Sequence, residues 1–341
     1  MQTSAALHHP SLKPGRRHAE RHVIACVDRS RHAERIVPHA LAVANALGSP
    51  VILLQVLEAH PGYDLRPDPI EWNIRRHEAR DGLKRLADSC GDGGDGDGVI
   101  AAELAEGHTV EEICRRLGNR AARLTVLGTQ GEGGGGEPGL GSTARSVLER
   151  ATGPVLLVPV TARRGEANYR RILVPVDGSS WAESVLSLAQ RLAAASGAEL
   201  IVAHIVPVPE LTETAPLEAE DVALRERLVE RNERVARDYV ERLRARAAEK
   251  GLKVRGLIRR GDDVRTSLME LIAGEDIDLV VLSARGQGRN RPSDLPYGDV
   301  AAYVMTHSPA PMLIARLAGR AARKPDPLGG EASRLPFRAA P

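Results

Sequence analysis

The chain has 341 residues, more than twice a typical small domain, so two domains are expected. Its 47 Lys and Arg against 45 Asp and Glu leave a net charge of +2, no electrostatic footing for a dedicated nucleic-acid or anionic-membrane binder. Apolar residues at 42% suffice for two cores, while one Phe, two Trp and five Tyr are too few for modules that stack bases on aromatic platforms.

In chain order, residues 1–20 read as a disordered tail lacking the apolar core of a signal peptide. His8, His9, His18 and His22 could bind a metal, but nothing fixes their geometry, and a flexible basic tail is the simpler reading. First-half strands are predicted at 22–27, 51–57, 99–104, 124–127 and 155–158, with helices at 33–47, 71–89, 109–118 and 142–151. GDGGDGDG (91–98) lacks the spaced Asp ligands and closing Glu of a calcium loop and reads as a connector. A short polar linker, 161–170, follows. Second-half strands are predicted at 172–176, 200–206, 253–258, 279–283 and 312–315, with helices at 181–196, 219–250, 263–274 and 299–307. Within 219–250, Leu228, Val235, Tyr239 and Leu243 suggest one buried stripe on a solvated helix. Residues 318–341 form a second tail rich in Pro, Arg, Ala and Gly.

No run approaches the roughly 18 apolar residues of a membrane span. Cys26, Cys90 and Cys114 form no CxxC pair, which fits a reducing compartment. A soluble cytoplasmic chain is expected. Cys26 lies in a predicted buried strand, where a thiol behaves as a small hydrophobe, so none of the three cysteines is assigned catalysis.

Self-comparison reveals a repeat. Residues 22–58 align without gaps on 171–207 at an offset of 149, placing Asp28 on Asp177, Gly48 on Gly197 and Val56 on Ile205. LTVLGTQG (124–131) matches LVVLSARG (279–286) at 155, and Pro154 falls on Pro311 at 157. Two homologous domains, 21–160 and 171–317, are therefore expected. Continuously apolar strands alternating with helices imply an α/β fold: two tandem, doubly wound, parallel five-stranded sheets of Rossmann-like type. Such sheets bind ligands at the carboxyl ends of strands where strand order reverses, so the loops after the first and fourth strands matter most.

In the first half the fourth strand runs into GTQGEGGGGEPGLGST, giving Gly128, two residues, Gly131, nine residues, Gly141, then Ser142. Glycines let the backbone approach an anion, and a helix N-terminus opening at Ser142 would point N–H groups at it, with hydroxyls from Ser142 and Thr143. A loose glycine loop with Ser142 serving only as an N-cap accounts for the same residues. GxxxxGK[ST] is absent. GEGGGG (131–136) satisfies GxGxxG only literally, since it follows the fourth strand and stands short of the helix.

Both halves resemble the universal stress protein family, over about 22–160 and 170–317. VPVDGSSWAESVL (174–186) resembles that family's first-strand signature, and Gly128-x2-Gly131-x9-Gly141-Ser142 reproduces the spacing of its ATP-binding branch. The resemblance implies the fold of the wider adenine-nucleotide α-hydrolase-like superfamily. It implies that Cys26 and Asp28 border the adenine, that Val56 packs on it, and that Leu127 and Gly128 lie along the ribose. Gln130, Gly131, Gly141, Ser142 and Thr143 would surround the phosphates. Asp28 would hold Mg²⁺ weakly or merely contact the nucleotide. Core packing explains Cys26 and Val56 equally well, and capping of the next turn explains Asp28. The resemblance further implies that the fifth strands, within 155–160 and 312–317, pair at their exposed apolar edges into an internal pseudo-dimer. Homo-oligomers through other faces stay open.

The second half departs from the pattern. Ser283 replaces the first glycine, eleven residues separate Gly286 from Gly298, and Asp299 replaces the serine. A carboxylate there would repel phosphate, so loss of ATP binding is expected, although Arg285, Arg289 and Arg291 leave a displaced anion site open. The chain is thus read as a cytoplasmic stress-response protein that binds ATP in its first domain and signals to an unidentified regulatory protein. Residues 128–144 offer no Arg or Lys to stabilise a transferred phosphoryl group, and no paired carboxylates are placed for two metals, so at most slow hydrolysis is expected. The alternatives are a nucleotide-free interaction scaffold and an adenylating enzyme, for which the SGGxDS loop is missing.

Overall fold

Segments such as VILLQVL at Val51–Leu57 and VLLV at Val155–Val158 are apolar at nearly every position, which suits strands covered by helices on both faces. The computed structural model describes residues 21–30, 32–58, 68–91, 100–118, 122–131, 139–162, 165, 167–210, 218–286 and 297–315. The predicted tails and most of the glycine-rich connector lie outside these residues.

The first half contains strands β1 (His22–Cys26), β2 (Val51–Leu57), β3 (Ile100–Glu106), β4 (Ala122–Gly128) and β5 (Val155–Val158). Its helices are α1 (Ala33–Leu47), α2 (Pro69–Gly91), α3 (Thr109–Gly118) and α4 (Ser142–Arg150). The second half contains β6 (Arg171–Pro175), β7 (Glu199–Pro207), β8 (Val254–Gly261), β9 (Leu279–Ser283) and β10 (Met312–Ala315). Its helices are α5 (Ser180–Ser184), α6 (Leu186–Ser196), α7 (Ala219–Ala248), α8 (Val264–Gly274) and α9 (Asp299–His307).

All ten strands form one sheet in the order β3-β2-β1-β4-β5-β10-β9-β6-β7-β8. Pairing is parallel within each half. At the centre, β5 and β10 run antiparallel, with Leu157 opposite Met312 and Leu156 opposite Leu313. The expected internal pseudo-dimer therefore forms through the fifth strands. Two cores flank the sheet, and each runs through both halves. On one face Leu53, Leu156, Val174, Leu200 and Leu313 pack with α1 and α6. On the other, Leu54, Leu157, Leu173, Val147, Val304 and Met312 pack under α4 and α9.

The linker is more than a polar tether. Tyr169 is 2% exposed, and its hydroxyl lies 2.9 Å from Nδ1 of buried His39 on α1. Burial lowers the His39 pKa to about 4.

Two expectations need correction. The helix read as 181–196 is broken at Val185, where the Ser184 hydroxyl donates to the Trp181 carbonyl and competes with the helical ladder. On α7 the buried stripe is Val229, Ala236, Val240, Leu243 and Ala247, whereas Leu228 is 43% and Val235 56% exposed. The stripe is displaced because α7 rests on β7 and β8 along one line and leaves Val235 and Tyr239 beside a cavity.

Candidate functional site

Within the first half the strand order β3-β2-β1-β4-β5 reverses between β1 and β4, and the expected site residues gather there. Cys26 closes β1, pairs in register with Leu54, and packs with Val56 against the core that contains Leu127. Burial pushes the Cys26 thiol up to about 12, so it stays protonated and unreactive at neutral pH.

Asp28 follows β1. Its Oδ1 accepts the Ser30 N–H at 3.0 Å and the Ser30 hydroxyl. Its other oxygen faces Gly131: a Cβ built at that glycine would stand 2.8 Å from Oδ2. The turn after β4 therefore crosses Asp28 so closely that a side chain at 131 would push the Asp28 carboxylate aside. Gly141 is tied back to the same turn, its N–H donating to the Thr129 carbonyl at 2.8 Å. That bond brings the start of α4 against Thr129 and Gln130.

Gly141 is the N-cap of α4 in extended conformation and, as glycine, brings no side chain to cap the first turn. Ser142 and Thr143 are exposed beside it. A helix N-terminus that opens on glycine, flanked by two hydroxyls, is a donor set that suits an anionic group. Residues 132–138 of the loop lie outside the described residues. Among the described residues no group of three or more His, Cys, Asp or Glu is placed to hold a metal ion.

The second half reproduces this frame. Asp177 Oδ1 accepts the Ser179 N–H at 2.9 Å, and Gly286 lies against Asp177 still more tightly than Gly131 lies against Asp28. The Gly298 N–H donates to the Ala284 carbonyl at 2.8 Å, matching the Gly141 bond. The contact between aspartate and glycine is thus a property of the fold in both halves. The helix start differs: α9 begins at exposed Asp299 followed by Val300. Arg285 is exposed at the end of β9, while Arg289 and Arg291 lie outside the described residues.

Beneath this second helix start is a cavity of about 930 Å³. Its wall includes Pro175, Asp177, Ile205, Leu282, Ser283, Arg285, Gly286, Gly298, Asp299 and Val300. At the repeat offsets of 149, 155 and 157 these are the counterparts of Cys26, Asp28, Val56, Leu127, Gly128, Gln130, Gly131, Gly141, Ser142 and Thr143. Every position singled out in the first half thus has a partner lining one cavity in the second. Sequence reading missed the wall supplied by His204, Tyr297 and, from α7, Asn232, Val235, Tyr239 and Arg242. No local signal marked them, since Val235 and Tyr239 fit a helical stripe as well as the residues that are buried.

No described helix is long and apolar enough to cross a membrane. The family model described as the Universal stress protein family matches residues 20–159 and 168–316. A universal stress protein of Mycolicibacterium smegmatis is 26% identical over 192 residues, covering 54% of this chain and 63% of that relative's length. A Thermus aquaticus universal stress protein, named for its place in the QAH/OAS sulfhydrylase 3′ region, is 32% identical over 138 residues, 40% of this chain and 96% of its own. Among solved structures, a universal stress protein from Archaeoglobus fulgidus shares the fold at a TM-score of 0.59 and 18% identity, over 86% of this chain and 98% of that one. A functionally unknown protein from Pseudomonas aeruginosa superposes at 0.57 and 16% identity, over 87% and 92%. With a tandem match that takes in most of its length, the chain belongs to the universal stress protein family.

Proposed function

We propose that the first half binds ATP and that the chain acts as a nucleotide-dependent regulator in the stress response, without ordinary turnover. The observation that carries this reading is the start of α4, where glycine is the N-cap and Ser142 and Thr143 stand exposed beside it at the strand-order reversal. The residues fit the ligand's two ends. Cys26, Val56 and Leu127 offer an apolar wall for the adenine, with Asp28 at its edge. Gly128 would lie along the ribose, and Gln130, Gly131, Gly141, Ser142 and Thr143 supply backbone and side-chain donors for the phosphates. Asp28 would hold an accompanying Mg²⁺ weakly or merely contact the nucleotide.

The second half is read as unable to hold a nucleotide triphosphate, because Asp299 stands where Ser142 stands in the first. On this reading the two units are 21–160 and 171–317, joined by 161–170, in a cytoplasmic protein whose output passes to a regulatory protein partner. The test is identification by chromatography of whatever nucleotide the purified chain releases on acid treatment. ATP at about one equivalent supports the proposal. A chain free of nucleotide that also fails to bind added ATP contradicts it and favours an interaction scaffold.

A further inference from the structure

The second-half cavity is built, large and differently furnished from a phosphate site. Its floor is apolar, from Ala203, Ile205 and Leu282 on the strands and Leu268 and Val304 on the helices. Val235 on α7 and Val300 on α9 reach it from two directions and are 56% and 36% exposed, so apolar surface is left for a ligand to cover. A volume of about 930 Å³ falls within the range of small-molecule pockets.

The polar side chains of the wall hold both donors and acceptors: Asn232, Tyr239, Arg242, Ser283 and Arg285 besides two carboxylates and a histidine. Asp177 and Asp299 are carboxylates. His204 donates through Nδ1 to the Val176 carbonyl at 2.7 Å, which leaves Nε2 as the ring nitrogen for a second partner. Among the described lining residues, exposed Arg242 and Arg285 match the two carboxylates in number, and Asp299 sets a negative charge at the helix start itself. The Tyr239 hydroxyl is buried without a hydrogen bond of ordinary geometry, with Glu183 and the Gly178 backbone beside it. At the pole where the first half offers Ser142 and Thr143 hydroxyls, this cavity offers a carboxylate and a methyl-bearing side chain.

We infer that the second-half cavity is a separate binding site for an uncharged small molecule with an apolar, ring-bearing body and an N–H or O–H donor, and that Asp299 turns anions away from it. The ligand's body covers Val235, Ile205 and Val300, and its donor is directed at the carboxylates and His204 Nε2. This inference does not depend on nucleotide binding in the first half.

A matched pair of fluorescent probes tests it on the intact chain. N-phenyl-1-naphthylamine is an uncharged aromatic amine. 8-Anilinonaphthalene-1-sulfonate has the same body with a fixed negative charge. The amine should bind saturably at one site per chain, and the sulfonate at least about tenfold more weakly. Val235→Trp, at a half-exposed position, fills the cavity and should weaken the amine by about tenfold or more while circular dichroism stays unchanged. Val235→Arg gives a second blocking variant should the first fold poorly. Asp299→Asn should draw the sulfonate's affinity toward that of the amine. The inference is overturned by absence of saturable amine binding, by equal binding of the two probes, or by indifference to both Val235 variants. ATP titration of the same variants reads the first half separately.

Discussion

The starts of α4 and α9 occupy the same place in two copies of one scaffold and offer opposite chemistry. Both helices begin after an extended glycine whose N–H donates to the turn after the fourth strand of its half, Thr129 for Gly141 and Ala284 for Gly298, at 2.8 Å in each case. Both turns cross an aspartate so closely that any larger residue would displace its carboxylate. Beyond that frame, one helix opens on Ser142 and Thr143 and the other on Asp299 and Val300. The comparison separates what the fold demands from what a ligand demands. Asp28 and Gly131 belong to the first class, and the helix-start pair to the second.

The largest effect is expected from exchanging the helix starts. Ser142→Asp should abolish measurable ATP binding by calorimetry. Two unit charges about 4 Å apart at an effective dielectric of about 20 repel by ~4 kcal/mol, comparable with the whole binding free energy of a millimolar ligand. Gly141→Val should act similarly by blocking approach of the phosphates.

A second contrast lies at the linker. His39 faces Tyr169, whereas its repeat counterpart at an offset of 149 is Leu188. The folded His39 pKa, about 4, lies below its ordinary value of 6.5. The unfolded chain therefore binds the extra proton first, and stability is complete above about pH 6.5 and declines as pH falls toward 4. The loss amounts to ~3 kcal/mol across that window. His39→Leu, which installs the second-half residue, should flatten the pH dependence of denaturant unfolding between pH 4 and 6.5. An unchanged slope would show that other groups carry it.

A smaller effect is expected at the shared frame. Gly131→Ala places a methyl against Asp28 Oδ2 and disturbs its bond to Ser30, and Gly286→Ala does the same at Asp177. Each should cost about 1 kcal/mol or less in stability, because the carboxylate can swing aside to make room. Urea unfolding should register both losses, while ATP affinity falls only for the first. The smallest effect is expected from Asp299→Ser. This substitution removes the repulsive charge but leaves Ser283, Val300 and a longer loop, so ATP binding in the second half should stay below detection by calorimetry.

Much of this frame was legible in the sequence because the relevant signals are local. Continuous apolar runs placed the strands; β2, β5, β9 and β10 match their predicted spans, and the ungapped repeat around Asp28 and Asp177 anticipated their common geometry. The errors arise where tertiary contacts decide. Val235 and Tyr239 fit a helical stripe as well as Val229 and Val240 do, and only the direction in which α7 meets β7 and β8 selects between them. Nothing in the local pattern at Ser184 marks the break before α6, since the competing bond is made by a hydroxyl common inside helices. The role of Tyr169 was hidden for a similar reason: its partner His39 is 130 residues distant. The second cavity escaped notice because its α7 wall has no motif and is contributed by residues that look like ordinary core or surface.

The central claim is that one scaffold carries one ATP site, set by the helix start of the first half. Calorimetric titration of the intact chain with ATP and Mg²⁺ tests it most directly. The account predicts one equivalent per chain, lost in Ser142→Asp and retained in Val235→Trp. Two equivalent sites, or a single site that survives Ser142→Asp and disappears on altering Asp299 and its neighbours, would contradict it.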